Sequence, residues 1–318
     1  MSTGKDVPLS VPGWADFFEA NQYAGFLAVL DDEMQRRGWE YALDDGALVV
    51  SGEGEDATRF GLVDLAKKCL QSLDEAEHWP EVVRDHFDSL ARSGSEMARL
   101  EKMSFDEARG LLRVRLYPPG LAATVGGDRL VRREVAPCLD EVLVVDLPSV
   151  VVTVKPEIAL RWGKSEDELF RLGRENLSQE PVRREKVELD GDVVIELYEG
   201  DSHFVASQVL VLDLDPELEA PYGALVAIPN RHTLAFHLIN SFDVQAEATR
   251  VMLGWLAQAH REGPGSISPH LYWLAPDSAL LQFESAESAD GGTVVTPPRR
   301  FLEQVLMPLS SRAGLGGN

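Results

Sequence analysis

The sequence predicts an α+β fold. Amphipathic helical patterns gather near the front of the chain, and short valine-rich strand patterns dominate from residue 111 onward. The two kinds of element come in runs rather than in strict βαβ alternation, which argues against a doubly wound parallel sheet. The expected architecture is a small helix–hairpin–helix module over 14–100, followed by a larger mixed, mainly antiparallel sheet domain with flanking helices over 105–310. A flexible lead-in (1–13) and a loose glycine-rich tail (311–318) bracket the two.

Taken in order, the first helix is expected from about Trp14 to Arg37. Phe26, Leu30 and Met34 recur every fourth residue, and Gly38 stops the pattern. Trp39 to Val50 reads as a hairpin, with Asp44, Asp45 and Gly46 supplying its turn. A helix is expected over Phe60–Leu73, and a second one opens at Pro80, whose missing amide costs nothing in a first turn. Residues 91–103 read as a linker or a continuation of that helix. Leu112, Val114 and Leu116 alternate with Arg113, Arg115 and Tyr117, as a half-buried strand does. Glu141–Leu147 and Val150–Val154 read as strands divided by Pro148. Ser165 and Glu168 form a capping-box pattern ahead of a helix carrying Leu169, Leu172 and Leu177. Further strands are expected at Lys186–Leu189, Val193–Tyr198, His203–Leu214 and Leu225–Ile228. After them come a long helix over Val244–Arg261, strands at His270–Leu274 and Leu280–Phe283, and a short helix at Phe301–Met307.

Composition narrows the function classes. The chain has 53 acidic against 30 basic residues, a formal net charge of −23. Phosphate-rich nucleic acid and anionic lipid both require a basic patch, so neither is an expected partner. The basic clusters Arg129, Arg132, Arg133 and Arg183, Arg184, Lys186 are interleaved with acids and read as solvated strand or loop edges. No apolar stretch reaches the roughly 20 residues of a membrane span, and the N-terminus has no signal-peptide core. A cytoplasmic location is expected. Cys69 and Cys138 lack metal-ligand spacing and are read as buried structural thiols.

Four motifs carry a resemblance. Leu143-Val144-Val145-Asp146-Leu147-Pro148, Arg174-Glu175-Asn176-Leu177, Gly200-Asp201-Ser202-His203-Phe204 and Ala227-Ile228-Pro229-Asn230-Arg231 occur in this order. Over about residues 131–283 the chain resembles the YtpQ-like family of bacterial proteins, a domain of unknown function. The resemblance implies no reaction, ligand or catalytic residue. The front unit, with Trp79-Pro80 and Asp85-His86-Phe87, resembles a module of actinobacterial-type proteins.

Three places invite chemistry. Gly200-Asp201-Ser202-His203 is similar to the nucleophile block of GDS-type hydrolases. Those enzymes also need an Asp-x-x-His base, and no histidine here has an aspartate three residues before it. A hairpin turn is therefore expected. Asn230-Arg231-His232 stands at a strand end, where Arg231 is suited to gripping a carboxylate or phosphate and His232 to acid–base work. A metal site would require Asp201, His203, His232 and His237 to converge. The five-residue step from His232 to His237 matches neither a strand face nor a helix face, and His-Glu-x-x-His and Cys-x-x-Cys are absent. Gly52-Glu53-Gly54 lacks the third glycine of a phosphate loop, and Asp213, Asp215 and Glu217 read as a solvated strand end. No cofactor and no metal are expected.

The sequence thus points to a non-enzymatic adaptor or regulatory factor that binds another protein, one with a basic surface. Asp201, His203, Asn230, Arg231, His232 and His237 are its candidate contact residues. The rival is a hydrolase or transferase of unrecognised type built on the Asn230-Arg231-His232 corner with Asp201 or His203.

Overall fold

The computed structural model describes residues 10–50, 58–71, 77–120, 130–189, 192–212, 220–287 and 293–315. Its fold is α+β, with antiparallel sheets flanked by helices. The chain divides into two compact units: 1–97 with 262–264, and 98–261 with 265–318.

In the smaller unit, α1 (Ala20–Arg37) starts later than its periodicity suggests, because a capping box sets its first turn. The Glu19 side chain accepts from the backbone of Gln22, and Gln22 Oε1 accepts the Glu19 N–H at 2.8 Å. Gly38 ends the helix at φ +68, a conformation open to glycine, and donates back to Gln35. β1 (Tyr41–Asp44) and β2 (Ala47–Val50) form the expected hairpin, with Asp45 and Gly46 both at positive φ in its turn. Phe60 belongs to a strand rather than to the following helix. β3 (Thr58–Gly61) pairs with β2, and the ring of Phe60 stacks on Trp39. α2 (Val63–Gln71) and α3 (Trp79–Leu100) complete the unit around Phe26, Leu30, Met34, Leu65 and Phe87. Residues 91–100 continue α3. Cys69 is fully buried, and burial pushes its thiol up to about 12. Gly52–Gly54 lies outside the described residues.

The larger unit begins with a short helix, α4 (Phe105–Ala108), held by a Ser104–Glu107 capping box. β4 (Leu112–Tyr117), β5 (Arg132–Ala136) and β6 (Leu139–Asp146) form a sheet in the order β4-β6-β5, and β7 (Val151–Thr153) also pairs with β6. The β5–β6 hairpin turns at Pro137-Cys138. Cys138 has φ +61 and is exposed, which corrects its reading as a buried thiol. α5 (Pro156–Trp162) and α6 (Glu166–Leu177) follow. Only half of the expected capping box at α6 forms. Ser165 Oγ accepts the Glu168 N–H at 3.2 Å, but the Glu168 carboxylate pairs with Lys164 at 2.7 Å instead of returning to Ser165. Gly173 lets α6 lie close on β4; a Cβ there would stand 2.9 Å from Val114 Cγ1.

The second sheet has six antiparallel strands. They are β8 (Arg183–Leu189), β9 (Val193–Glu199), β10 (Ala224–Asn230), β11 (Thr233–Leu238), β12 (Leu271–Leu274) and β13 (Leu280–Gln282), in the order β13-β12-β10-β11-β9-β8. One face packs Leu225, Ala227, Ala235 and Trp273 against Ala248, Met252 and Leu256 of α7 (Phe242–Glu262). The same core takes Phe301, Val305 and Leu309 from a helical segment made of α8 (Arg299–Phe301), a π-helical turn (Leu302–Leu306) and α9 (Met307–Leu315). The other face buries Tyr198, Val226, Phe236 and Tyr272 against Val205, Val209, Leu116 and Leu139. The strand expected over His203–Leu214, of which 213 and 214 lie outside the described residues, does not form over 203–212, which instead hold a 3-10 segment, Ala206–Leu210. Its polar side chains cause this: Ser207 Oγ accepts the Leu116 N–H at 3.0 Å, and Gln208 Nε2 donates to the Leu177 carbonyl at 3.1 Å. A last hairpin, β14 (Glu284–Glu287) with β15 (Thr293–Thr296), closes the sheet set. No helix among the described residues is long and apolar enough to cross a membrane.

Candidate functional site

Strands β10 and β11 meet in a two-residue turn, Arg231-His232, with Asn230 paired to Thr233. Pro229 sits where the register shifts between Ala227 and Asn230, so its lack of an N–H breaks no ladder bond. Asn230 is buried and closes the turn. Its Oδ1 accepts the His232 N–H at 3.0 Å, and its Nδ2 donates to the Ala259 carbonyl at 3.4 Å. The backbone of Arg231 is tied on both sides, donating to Gly265 at 3.0 Å and accepting from Ala206 at 3.2 Å.

His232 is committed in the same way. Its Nδ1 lies 3.0 Å from the Gly200 carbonyl, which can only accept, so Nδ1 carries the proton. Nε2 then holds the lone pair and accepts the Arg231 Nε–H at 3.0 Å. Both ring nitrogens thus serve the turn. The His203 ring centroid is 5.5 Å from that of His232, and Ser202 Oγ accepts the Phe204 N–H at 3.2 Å in a local turn. Asp201 is exposed on the adjoining bend.

His237 is not part of this corner. It lies four residues along β11, 4% exposed, with Nδ1 donating to the Val194 carbonyl at 2.8 Å. Its Nε2 is buried and has no partner among the described residues. Burial pushes its pKa below the ordinary 6.5, opposed in part by the bond to Val194. The residue lines a recess of about 320 Å³ with Lys186, Asp192, Glu196 and Ser241, in which Lys186 and Glu196 pair at 2.8 Å. The structure therefore brings Asn230, Arg231, His232 and His203 together and sets His237 apart. Among the described residues no group of three His, Cys, Asp or Glu is placed to hold a metal ion. Asp213, Asp215 and Glu217 lie outside the described residues.

A larger feature was not singled out by sequence reasoning. A groove of about 860 Å³ lies between β5, α6, the 206–212 segment and β13. Arg133, Arg171 and Arg174 line it beside Val135, Leu210 and Leu281; Asp167 and Glu175 also face it. Beneath the arginines lies Glu141 of β6, at 0% exposure. It accepts Arg133 Nε at 2.5 Å, and Arg174 Nε and Nη2 at 2.7 and 2.9 Å. The Arg133 guanidinium also stacks 4.3 Å from the Phe170 ring centroid. Arg133 and Glu141 are direct cross-strand partners, so the β5–β6 register fixes one half of this triad and α6 supplies the other. A readable signal existed. Glu141 follows Asp140 directly ahead of the apolar run 142–145, and a carboxylate buried in such a strand requires cations around it.

No family profile matches this chain, no curated protein matches its sequence, and no solved structure matches its fold.

Proposed function

We propose that the chain is a non-enzymatic protein-binding factor of the adaptor or regulatory kind, acting in the cytoplasm and docking its partner in the arginine-rimmed groove. The groove carries this reading: it combines an apolar floor with guanidinium groups already fixed by Glu141. The net charge of −23 suits steering toward a partner whose surface is otherwise basic. The 200–232 corner fits the same view, since His232 spends both nitrogens on holding its turn. The similarity of residues 131–283 to the YtpQ-like family belongs to the proposal and adds no activity to it. The second reading is an enzyme of hydrolase or transferase type, favoured by the approach of His203 to His232 beside Arg231.

Affinity capture from the native host with the tagged chain, read by mass spectrometry, separates the two. Ser178 is exposed and lines the groove, so Ser178→Trp fills it without disturbing a core. The expected result is one specific protein that is retained at low salt, declines as salt screens the contact, and is lost with the variant. Equal capture by wild type and Ser178→Trp removes the docking reading. Turnover of a small substrate that disappears in His232→Gln establishes the enzyme in its place.

A further inference from the structure

We infer that the occupant of the groove is the C-terminal end of the partner protein. Its free main-chain carboxylate is held by Arg133 and Arg174, and the apolar side chain of its last residue packs on Val135 and Leu280. This rests on the docking reading and adds the chemistry that the docked segment must carry.

The guanidinium pair is built in advance. Glu141 fixes Arg174 with two bonds and Arg133 with one, and Phe170 supports the Arg133 plane from beneath. The rotamer entropy of both side chains is therefore spent on folding rather than on binding. Both Nη groups of Arg133 and the Nη1 of Arg174 keep donors with no partner among the described residues. One carboxylate between two guanidiniums leaves a local excess of one positive charge. Arg171 and Glu175 pair at 2.5 Å and cancel, and Asp167, which also lines the groove, balances the charge of the groove as a whole, so the attraction for an anion is confined to the Arg133–Arg174 pair itself. An incoming carboxylate removes the excess and takes up the spare donors in bidentate geometry.

The apolar half of the groove identifies the kind of anion. Arg133 and Val135 both line the groove and stand two residues apart in β5, the second at the irregularity between Glu134 and Ala136, so their Cα atoms are at most about 7 Å from each other. A terminal residue carries its carboxylate and its side chain on one Cα and spans that distance. A glutamate or aspartate side chain does not offer a second apolar branch. A fatty carboxylate would need an enclosed apolar tunnel, whereas here the exposed Ser178 at the end of α6 and Ser278 in the β12–β13 turn add polar contacts suited to a peptide main chain. The volume of about 860 Å³ lies toward the upper end of ligand sites, which run to roughly 1,000 Å³.

The test uses the full chain and a hexapeptide library anchored by its N-termini, randomised at the last three positions. Free-carboxyl and amidated versions are screened in parallel, with dodecanoate as a separate probe. The inference expects enrichment of Leu, Ile, Val or Phe at the last position in the free-carboxyl library alone. Selected peptides should bind at least tenfold more weakly to Arg133→Gln, a variant that leaves Glu141 bonded to Arg174 and is assayed well below its own, lowered melting temperature. Equal enrichment in both libraries, no enrichment, or indifference to Arg133→Gln overturns it. So does dodecanoate binding that depends on Arg133 while no peptide is selected. If capture of the partner is still lost in Ser178→Trp after any of these failures, the docking reading stands and only the terminal carboxylate falls.

Discussion

At His237 the fold holds an imidazole out of reach of water, beneath the start of α7, with one nitrogen bonded and the other buried. Desolvation lowers its pKa below 6.5, so the unfolded chain takes up a proton near pH ~6.5 that the folded ring refuses. The associated stability is fully present above that pH and declines as pH falls below it. Lys186, Asp192 and Glu196 face the same recess, and the two carboxylates oppose the effect while the ammonium reinforces it. In urea melts between pH ~7.5 and ~5.5, His237→Gln should lose less stability than the wild type. The difference cannot exceed about 1.4 kcal/mol per pH unit. Part of the slope should persist, because burial also lowers the pKa of His270. Identical slopes in the two proteins would show that His237 does not titrate in this way.

Among the elements, α6 makes the sharpest prediction, because two effects of opposite sign meet at Gly173. Replacing an interior helical glycine with alanine ordinarily gains about 1 kcal/mol. Here the new methyl would stand 2.9 Å from Val114 Cγ1 and 3.1 Å from the backbone carbon of Arg113, and a strand backbone cannot yield as a side-chain tip can. Overpacking of this kind costs about 1–3 kcal/mol, so Gly173→Ala should destabilise the fold by up to about 2 kcal/mol net, read as a lower urea midpoint. A midpoint equal to or above the wild type would mean that α6 can lift from β4. Elements with an unbroken period were legible from the sequence: α1 through Phe26, Leu30 and Met34, β4 through Leu112, Val114 and Leu116, and α7 through Leu253 and Leu256. β5 escaped notice because its charged residues pair across the hairpin rather than alternating with apolar ones. The 203–212 stretch misled because Ser207 and Gln208 look unremarkable in a strand, yet both turn inward to bond the backbone of other elements. At the 230–232 turn, the residue types were readable but their use was not. Which atoms of Asn230 and His232 remain available depends on Gly200 and Ala259, far away in sequence.

For the molecule as a whole, charge decides more than any single ion pair. The exposed pairs, such as Arg171–Glu175 and Arg299–Glu303, contribute little, and salt weakens them. Against them stands the mutual repulsion of an excess of 23 negative charges, which salt also weakens. The repulsion involves many charges at long range and should win. Stability should therefore rise as NaCl is raised from about 0.02 M to about 0.2 M, as the screening length contracts to several ångströms. A fall in the urea midpoint over that range would show that the ion pairs dominate. The groove was hidden from sequence reasoning for a related reason. Its arginines are a small minority in an acidic chain, and only the folded register sets two of them on one buried carboxylate.

The turn at Pro137-Cys138 has a practical side. Of the two cysteines in the chain, one is sealed in a core with its thiol pushed to about 12, and the other stands in solvent. A maleimide dye should therefore attach at a single address without any engineering. That address is five residues from Arg133 along the strand, a contour of at most about 18 Å. Its fluorescence would report occupancy of the neighbouring cleft in real time, with no change to the amino-acid sequence.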